Sequence, residues 1–473
     1  ALGLRLKDPY GGSPMLPRLS VHVLIASLLV QPVLLTKSPA PRRVRIDGKH
    51  FVLSSSNTPI VLSGPNVVVK GPPYIPSVAG DEHCTDTVND ACLATGTCVT
   101  CTSFNKADVA HMKRLGWNTI RLGVVWAGAQ PRDEKALDPA FLQRLHDLLN
   151  LTDATGINVV LDNHGDMVGS AGCGNGVPMW FQQKAASGLI GKPLTTGFPY
   201  NLIDKMKIER LIPQVCADNA SMWTEYAGDP NYNLLNACCK AMNNGSNPGP
   251  IGYTEISQKT MNFMIEDGQG RADFVRYWRL MAEAVMDHPS AIAAELMNEP
   301  MTIWRMSMYQ TWRAAAEAVN DVLPDMSVSL SDTKQEPDFP AWVYETLGEG
   351  VGIDPWTLEW IKRSKTVFYA FHGYDFSSPA ELVQRALGFR DSWNVPLFAT
   401  EFWGCQQWSA FRVAGISHSY WHYSCYCNTG AYFGNRKVPE ETFGACILGW
   451  GGGNSSSPSD KSCGHNGLQT FVV

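Results

Sequence analysis

The feature that most constrains this chain is a repeated alternation of short apolar runs with longer segments of helical periodicity. Strands that alternate with helices build a parallel sheet, and eight such strands close into a barrel more readily than they form an open sheet. No G-x-G-x-x-G follows the first run, which argues against a dinucleotide-binding fold. The sequence therefore predicts an α/β fold, a (β/α)8 TIM barrel. Its eight strands are expected near 61–68, 118–126, 157–163, 291–297, 327–331, 366–372, 396–400 and 415–421.

The N-terminal segment, residues 1–40, is expected to lie outside the barrel as a signal-like or anchor segment. Met15-Leu-Pro-Arg18 is followed by an apolar run from Leu19 to Leu35, which is typical of a secretory leader. Gln31 and Pro32 interrupt that run, so it does not match a regular membrane span. Secretion, or association with a membrane through this segment, is the expectation.

The catalytic barrel is predicted to occupy residues 41–430. It begins with a hairpin around Asp47-Gly48, a strong turn signal, and this hairpin is expected to close the bottom of the barrel. A long insertion after the third strand, about 167–270, is expected to form a lid or wall at the mouth, with decoration as the alternative. Residues 431–473 are predicted to be a short tail that contains cysteines and is too short for a β-sandwich domain.

Composition narrows the setting of the chain. Thirteen cysteines in 473 residues indicate an oxidising compartment, and the net charge of −6 gives no reason to expect nucleic acid as a partner. One tight cysteine cluster favours disulfides in a secreted loop over half of a zinc site. That cluster consists of Cys84, Cys92, Cys98 and Cys101. Glycosylation sequons stand at Asn150, Asn219, Asn244 and Asn454.

Two glutamates follow apolar strand runs directly. Glu299 comes after Ala291–Met297, and Glu401 ends Val395–Thr400. Catalytic side chains of a parallel barrel gather at the carboxyl ends of its strands, so the two carboxylates are expected to face one cavity. A spacing of roughly 5–5.5 Å would indicate retaining cleavage of a glycosidic bond. The alternative for each glutamate taken alone is a surface residue after a strand.

Five motifs then occur in order, and together they resemble glycoside hydrolase family 5, in particular the endoglycoceramidases and their relatives. The resemblance covers roughly 44–423. It implies a retaining β-glycosidase that needs no cofactor or metal. The motifs are Asn66–Tyr74, Leu161–Asp166, Gly174–Trp180, Asn298-Glu299-Pro300 and the strand-ending Glu401.

The resemblance also implies catalytic roles. Glu299 would be the acid/base and Glu401 the nucleophile. The acid must keep its proton near neutral pH, and a charged neighbour raises the pKa of its carboxyl for that reason. Asn298 would hold the 2-hydroxyl of the reacting sugar. Arg121 and Tyr374 would hydrogen-bond the nucleophile and keep it ionised.

The remaining implied roles concern substrate binding. His164, Asp166 and Lys70 would bind sugar hydroxyls. His372 would lie beside the acid/base, and Trp421 would form a floor under the sugar. The alternatives are buried structural histidines at the two histidine positions and core packing for the tryptophan.

Two further observations bear on these roles. The alternative role for Arg121 is that of a buried structural ion-pair partner of Glu295. Glu295 shares a strand face with Glu299 and should therefore point into the barrel. This chain reads His164-Gly165-Asp166 where the family commonly reads His-Gln-Asp, so the resemblance implies one sugar contact fewer than in the family. Endoglycoceramidases usually carry a C-terminal β-sandwich, and the short tail expected here leaves the mode of lipid docking open.

Three functions are therefore weighed. The first is a secreted retaining β-glycosidase that acts on a glycolipid: a glycosphingolipid, glucosylceramide or a steryl glucoside. The second is a family 5 enzyme that cuts a polysaccharide such as a β-glucan or mannan. The third is an inactive barrel that serves as a structural, glycan-binding component of an extracellular assembly. The apolar residues Met261, Phe263, Met264 and Ile265 of the insertion could hold a lipid tail or belong to a helix core.

Overall fold

The described part of the chain contains ten strands, and the last eight form a closed parallel barrel. β1 and β2 form a separate hairpin, Val44–Asp47 and His50–Leu53. In the barrel each strand pairs with its sequence neighbour, and the last strand, β10, pairs with the first, β3. The predicted TIM barrel is thereby confirmed. The barrel strands are β3 Ser63–Val67, β4 Thr119–Gly123, β5 Asn158–Asp162, β6 Ala291–Glu295, β7 Ser327–Ser331, β8 Val367–His372, β9 Leu397–Glu401 and β10 Ser417–Tyr420.

The computed structural model describes part of the chain, with gaps. The described residues are 39–69, 74–78, 104–165, 168–172, 174, 176–190, 192, 194–198, 200–202, 254–331, 354–374, 378–402 and 405–421.

The helices between the strands are amphipathic and cover the outside of the barrel. Pro139–Thr155 shows how the sequence delimits one of them: the Asp138 side chain accepts from two backbone N–H groups at its start, and Gly156 ends it at φ 78°. The α-helices described are Lys106–Arg114, Trp126–Ala129, Pro139–Thr155, Met179–Ala186, Glu255–Ile265, Gln269–Ala284, Arg305–Val322, Pro355–Arg363, Pro379–Trp393 and Cys405–Val413.

Several observed strands are shorter than the runs that predicted them, and the second shows the largest difference. The second run extends to Trp126, but β4 ends at Gly123 and Trp126 begins a short helix. The apolar pattern continues from Leu122 to Trp126 because Trp126 is fully buried and stacks on Tyr277 with ring centroids 5.3 Å apart. Hydrophobicity alone does not show where a buried strand passes into a buried helix.

The hairpin closes the bottom of the barrel, as predicted. Phe51 packs edge-on against Phe368 and Phe398, with ring centroids 5.5 and 6.3 Å apart. These side chains belong to a core cluster that also holds Val44 and Ile292. This apolar plug fills one end of the barrel, so the polar side chains at the strand C-termini lie at the other end.

The described part of the insertion packs against the body of the barrel. Met261, Met264 and Ile265 are fully buried in the main core cluster, so the core interpretation is confirmed for them and they do not line a lipid-binding surface. Gln258 Nε2 donates to the Met301 carbonyl at 3.1 Å, which joins the insertion to the segment that follows Glu299.

Several predictions fall on residues outside the described ranges. These include the N-terminal segment up to residue 38, the tail 431–473, every cysteine except Cys405, and the sequons other than Asn150. The expected domain boundaries, disulfides and glycosylation stay predictions. Among the described helices, none combines the length and the apolar character needed to cross a bilayer.

Candidate active site

Two glutamates meet at the C-terminal mouth of the barrel. Glu401 is the last residue of β9, and Glu299 follows the end of β6 by four residues. One side-chain oxygen of each glutamate and a ring nitrogen of His372 all lie within 4.8 Å of one another. Glu401 is buried, whereas the Glu299 side chain is 28% exposed. The predicted convergence of these two carboxylates is therefore what the structure shows.

Arg121, in the middle of β4, connects the buried polar groups below the mouth. Its Nε donates to Glu295 Oε2 at 2.6 Å and its Nη2 to Glu295 Oε1 at 3.0 Å. Nη1 donates to Asn66 at 2.7 Å and to Glu401 Oε1 at 2.8 Å. Nη2 also donates to Asn298 Oδ1 at 2.8 Å. One guanidinium thus makes the contacts expected from both interpretations, because it pairs with Glu295 and with the expected nucleophile, whose role stays a prediction.

The charges around Arg121 determine its ionisation. Burial lowers the pKa of its guanidinium, but Asp162, Glu295 and Glu401 outweigh this effect and hold the pKa well above its ordinary value. Burial raises the pKa of Glu295, and the Asp162 carboxylate adds to this, against the pull of Arg121. The network is therefore rich in negative charge and depends on a guanidinium that stays protonated.

His372 and Tyr374 contact the two expected catalytic glutamates. His372 Nδ1 lies 3.0 Å from Glu299 Oε1 and 3.7 Å from Glu401 Oε2. The Tyr374 hydroxyl donates to Glu401 Oε2 at 2.9 Å. Burial lowers the pKa of His372, but the carboxylates of Glu401 and Glu299 outweigh it, so the pKa lies above its ordinary value. Burial and the same two carboxylates hold the pKa of Tyr374 well above its ordinary value.

His164 and Trp421 form a second side of the mouth. Their rings stack with centroids 5.2 Å apart and an interplanar angle of 9°. His164 Nδ1 lies 2.8 Å from Asp162 Oδ2. In this geometry Nδ1–H donates a hydrogen bond to the carboxylate, so Nε2 is the ring nitrogen that carries no proton in the neutral histidine. Trp421 is partly exposed, which is consistent with a floor and not with a core position.

Glu299 has an unusual backbone conformation. Its φ of 44° lies in the left-handed region, which non-glycine residues seldom adopt. Such strain is found mainly where the surrounding structure imposes it, and often at functional sites. The neighbouring Asn298 N–H donates to the Asn163 carbonyl at 3.1 Å, which fixes the chain just before the turn.

The structure brings together eight of the ten predicted site residues. They are Arg121, His164, Asn298, Glu299, His372, Tyr374, Glu401 and Trp421. Lys70 and Asp166 lie outside the described residues, so their predicted sugar contacts stay predictions. The role of each residue in catalysis likewise stays a prediction.

Two participants were not singled out from the sequence. Asn66, near the end of β3, donates to the carbonyls of Thr400, Ser419 and Tyr420 while it accepts from Arg121. The Thr400 hydroxyl donates to Glu295 at 3.1 Å. The sequence could have indicated Asn66 as a site residue, because a buried amide at the end of a barrel strand needs polar partners.

Metal binding at this site has a geometric basis but was not predicted. Glu299, His372 and Glu401 offer three ligand atoms close enough to share an ion. The same atoms are also placed to hydrogen-bond one another, as the His372–Glu299 contact shows. The expectation that no metal takes part stays a prediction, which treatment with a chelator would test.

Comparisons with known proteins show what this chain is similar to. The model of the Cellulase family, glycosyl hydrolase family 5, matches residues 85–200. An endoglycoceramidase of Cyanea nozakii is 26% identical over 238 residues, which is 50% of this chain and 37% of that protein. Endoglycoceramidase I of Rhodococcus hoagii is 32% identical over 137 residues, which is 29% of this chain and 23% of that protein.

The fold has a counterpart among solved structures. A crystal structure of endogalactoceramidase superposes with a TM-score of 0.54 at 14% identity, and covers 81% of this chain and 75% of that chain. The chain thus spans less than half the length of the curated relatives it matches, whereas the barrel architecture is shared over most of its length. The resemblance inferred from the motifs is confirmed.

Proposed function

We propose that this chain, which resembles glycoside hydrolase family 5, is a retaining β-glycosidase that hydrolyses the β-glycosidic bond of a glycolipid. The observation that carries the proposal is the pair Glu299 and Glu401, in which one carboxylate oxygen of each residue lies within 4.8 Å of the other. Retaining enzymes place their two carboxyl groups about 5–5.5 Å apart, whereas inverting enzymes leave room for a water between them.

The chemistry follows from the positions of the two carboxyls. Glu401 attacks the anomeric carbon as Glu299 gives its proton to the leaving oxygen, so one C–O bond forms while another breaks. Glu299 then takes a proton from water, and the resulting hydroxide displaces Glu401 from the glycosyl-enzyme ester. Each step is a displacement in which charge develops close to a fixed donor or acceptor.

The neighbouring groups suit these roles. Arg121 and Tyr374 each donate to a different oxygen of Glu401, and both bonds favour the ionised nucleophile. His372 hydrogen-bonds Glu299, the group whose proton must move twice. Asn298 is held by Arg121 beside the reacting centre and would bind the 2-hydroxyl of the sugar.

The substrate class rests on the relatives. The two curated proteins named above are endoglycoceramidases, so a glycosphingolipid is the first candidate, and glucosylceramide or a steryl glucoside are the next. The match to the Cellulase model favours a β-glucan or mannan as the second candidate. The intact pair Glu299 and Glu401 argues against an inactive barrel.

We also propose that the protein acts in the secretory pathway or outside the cell, on the basis of its cysteines.

The nucleophile is tested by covalent trapping. An activated 2-fluoro glycoside is expected to label Glu401 in the wild-type protein, because the fluorine slows hydrolysis of the ester. Glu401→Gln should abolish both turnover and labelling, and Glu317→Gln, an exposed charge outside the mouth, should change neither. Labelling that persists in Glu401→Gln would remove this residue as the nucleophile.

The acid/base is tested by rescue. Glu299→Ala should retain activity on substrates with good leaving groups, and azide should restore turnover by attacking the exposed glycosyl-enzyme. Absence of rescue would contradict the role of Glu299.

The substrate class is tested with glycosphingolipids, glucosylceramide, steryl glucoside and soluble β-glucans, with products identified by mass spectrometry. Cleavage of the soluble glucans alone would favour the polysaccharide enzyme.

A further inference from the structure

The geometry below the mouth points to a further functional residue: we propose that Glu295 is a positioning residue, which orients the Arg121 guanidinium so that its other donors reach Glu401 and Asn298. This inference rests on the proposed function and assigns a role to a side chain that the double displacement does not itself use. Glu295 is the last residue of β6 and is only 1% exposed, so it acts through Arg121 and not on the substrate.

Every donor of Arg121 is accounted for. A guanidinium has five N–H groups in one plane. Glu295 takes two of them along one edge, from Nε at 2.6 Å and from Nη2 at 3.0 Å. The other three point to Asn298, Asn66 and Glu401 at 2.7–2.8 Å. Because the guanidinium is rigid and planar, the two-point contact with Glu295 fixes the direction of the remaining three donors.

The orientation has no equally good substitute among the described residues. Asp162 lies 3.1 Å from Arg121 Nη2 as an ion pair, but its Oδ1 accepts no hydrogen bond within the described part of the chain. Asp162 therefore supplies charge, whereas Glu295 supplies direction. Thr400 in turn holds Glu295, since its hydroxyl donates to Oε1 at 3.1 Å.

Removing the two-point contact should misplace the donor to the nucleophile. In Glu295→Gln one carboxylate oxygen becomes an NH2 group, which faces an arginine N–H and cannot accept it. Arg121 must then turn, and its bond to Glu401 lengthens or breaks. The rate at which Glu401 attacks should fall by about 10- to 100-fold, the range expected for loss of one charge-assisted hydrogen bond. Substrate affinity should change less than this rate.

The pH dependence separates orientation from charge. A misplaced Arg121 leaves Glu401 easier to protonate, so the acid limb of the pH–rate profile should move to higher pH. Loss of a negative charge alone would favour ionisation of Glu401 and move the same limb to lower pH. A residue with a purely structural role would leave the limb in place.

The experiment measures the rate of covalent labelling by an activated 2-fluoro glycoside against pH. The proteins are wild type, Glu295→Gln, Glu295→Asp and the surface control Glu317→Gln. Glu295→Asp keeps the charge but draws the carboxylate back by one methylene group, and it provides the test if the glutamine variant does not fold. Circular dichroism establishes the folded fraction to which each rate is normalised.

Slower labelling with an acid limb at higher pH in either variant supports the inference. An unchanged rate, an unmoved limb or a limb at lower pH overturns it. If the wild-type protein is not labelled at all, the proposed function fails first, so the two failures are distinguishable. The loss should also be the same for leaving groups of different acidity, because the nucleophile is affected and not the proton donor.

Discussion

His418 offers a test of how burial controls the stability of the barrel closure. It lies in β10, the strand that pairs with β3 to complete the barrel, and is 2% exposed. Its Nδ1 lies 2.8 Å from the Ile416 carbonyl and its Nε2 lies 2.8 Å from the Ser63 hydroxyl. A neutral ring fits both partners, with Nδ1 as the donor and Nε2 as the acceptor. Burial lowers the pKa of His418 to about 4.

The sign and size of the effect follow from linkage. The unfolded chain binds a proton at this histidine near its ordinary pKa of 6.5, whereas the folded chain resists it down to about 4. Between these values the unfolded state binds more protons, so stability falls as the pH falls. At pH 7.5 nearly all of the stabilisation that the neutral His418 ring gives to the folded state is present. By pH 5 the free energy of unfolding should have dropped by about 2 kcal/mol through this group.

The assay is urea unfolding of wild type and His418→Gln at pH 7.5 and pH 5. Glutamine does not titrate, so the wild type should lose about 2 kcal/mol more than the variant between the two pH values. Groups common to both proteins cancel in this difference. His50→Gln, at the exposed start of β2, is the matched control and should lose as much as the wild type. Equal losses in wild type and His418→Gln would refute the reasoning.

Other predictions concern the mouth and the barrel bottom. Tyr374→Phe removes the bond to Glu401 Oε2 and should lower kcat about tenfold, measured with an aryl glycoside. Arg42→Met leaves buried backbone carbonyls without their donor and should cost at least about 3 kcal/mol in urea unfolding. The pKa of His372 is raised in the folded protein. Its contribution to the free energy of unfolding is therefore complete below pH 6.5 and is lost as the pH rises through the pKa of the folded state. His372→Gln should not show this loss in urea unfolding.

The two glutamates could be predicted from the sequence because their position depends on local pattern. Each follows an apolar strand, and in a closed barrel every strand end reaches the same mouth. Glu299 and Glu401 are therefore brought together by topology, without any knowledge of side-chain packing. The eight strands were found for the same reason, since apolar runs of strand length repeat through the chain.

The contacts below the mouth could not be predicted in this way. Whether Arg121 reaches Asn66 depends on the pairing of β3 with β4, in which these two residues are register partners. Whether it also reaches Glu295 and Glu401 depends on the width of the barrel. The stacking of His164 on Trp421 and the positive φ of Glu299 likewise arise from tertiary structure, and no local pattern indicates them.

The same hydrogen bonds that arrange the site also join the barrel across its interior. Arg121 on β4 reaches β3 through Asn66, β6 through Glu295 and β9 through Glu401. Asn66 in turn donates to carbonyls of β9 and β10. Glu401 can therefore be oriented only when strands far apart in the sequence have paired. Because removal of one partner from a buried ionic network leaves an uncompensated charge, substitutions here should reduce stability and activity together. A variant of this network that unfolds earlier but keeps its full rate of covalent labelling would show that orientation of Glu401 does not depend on it.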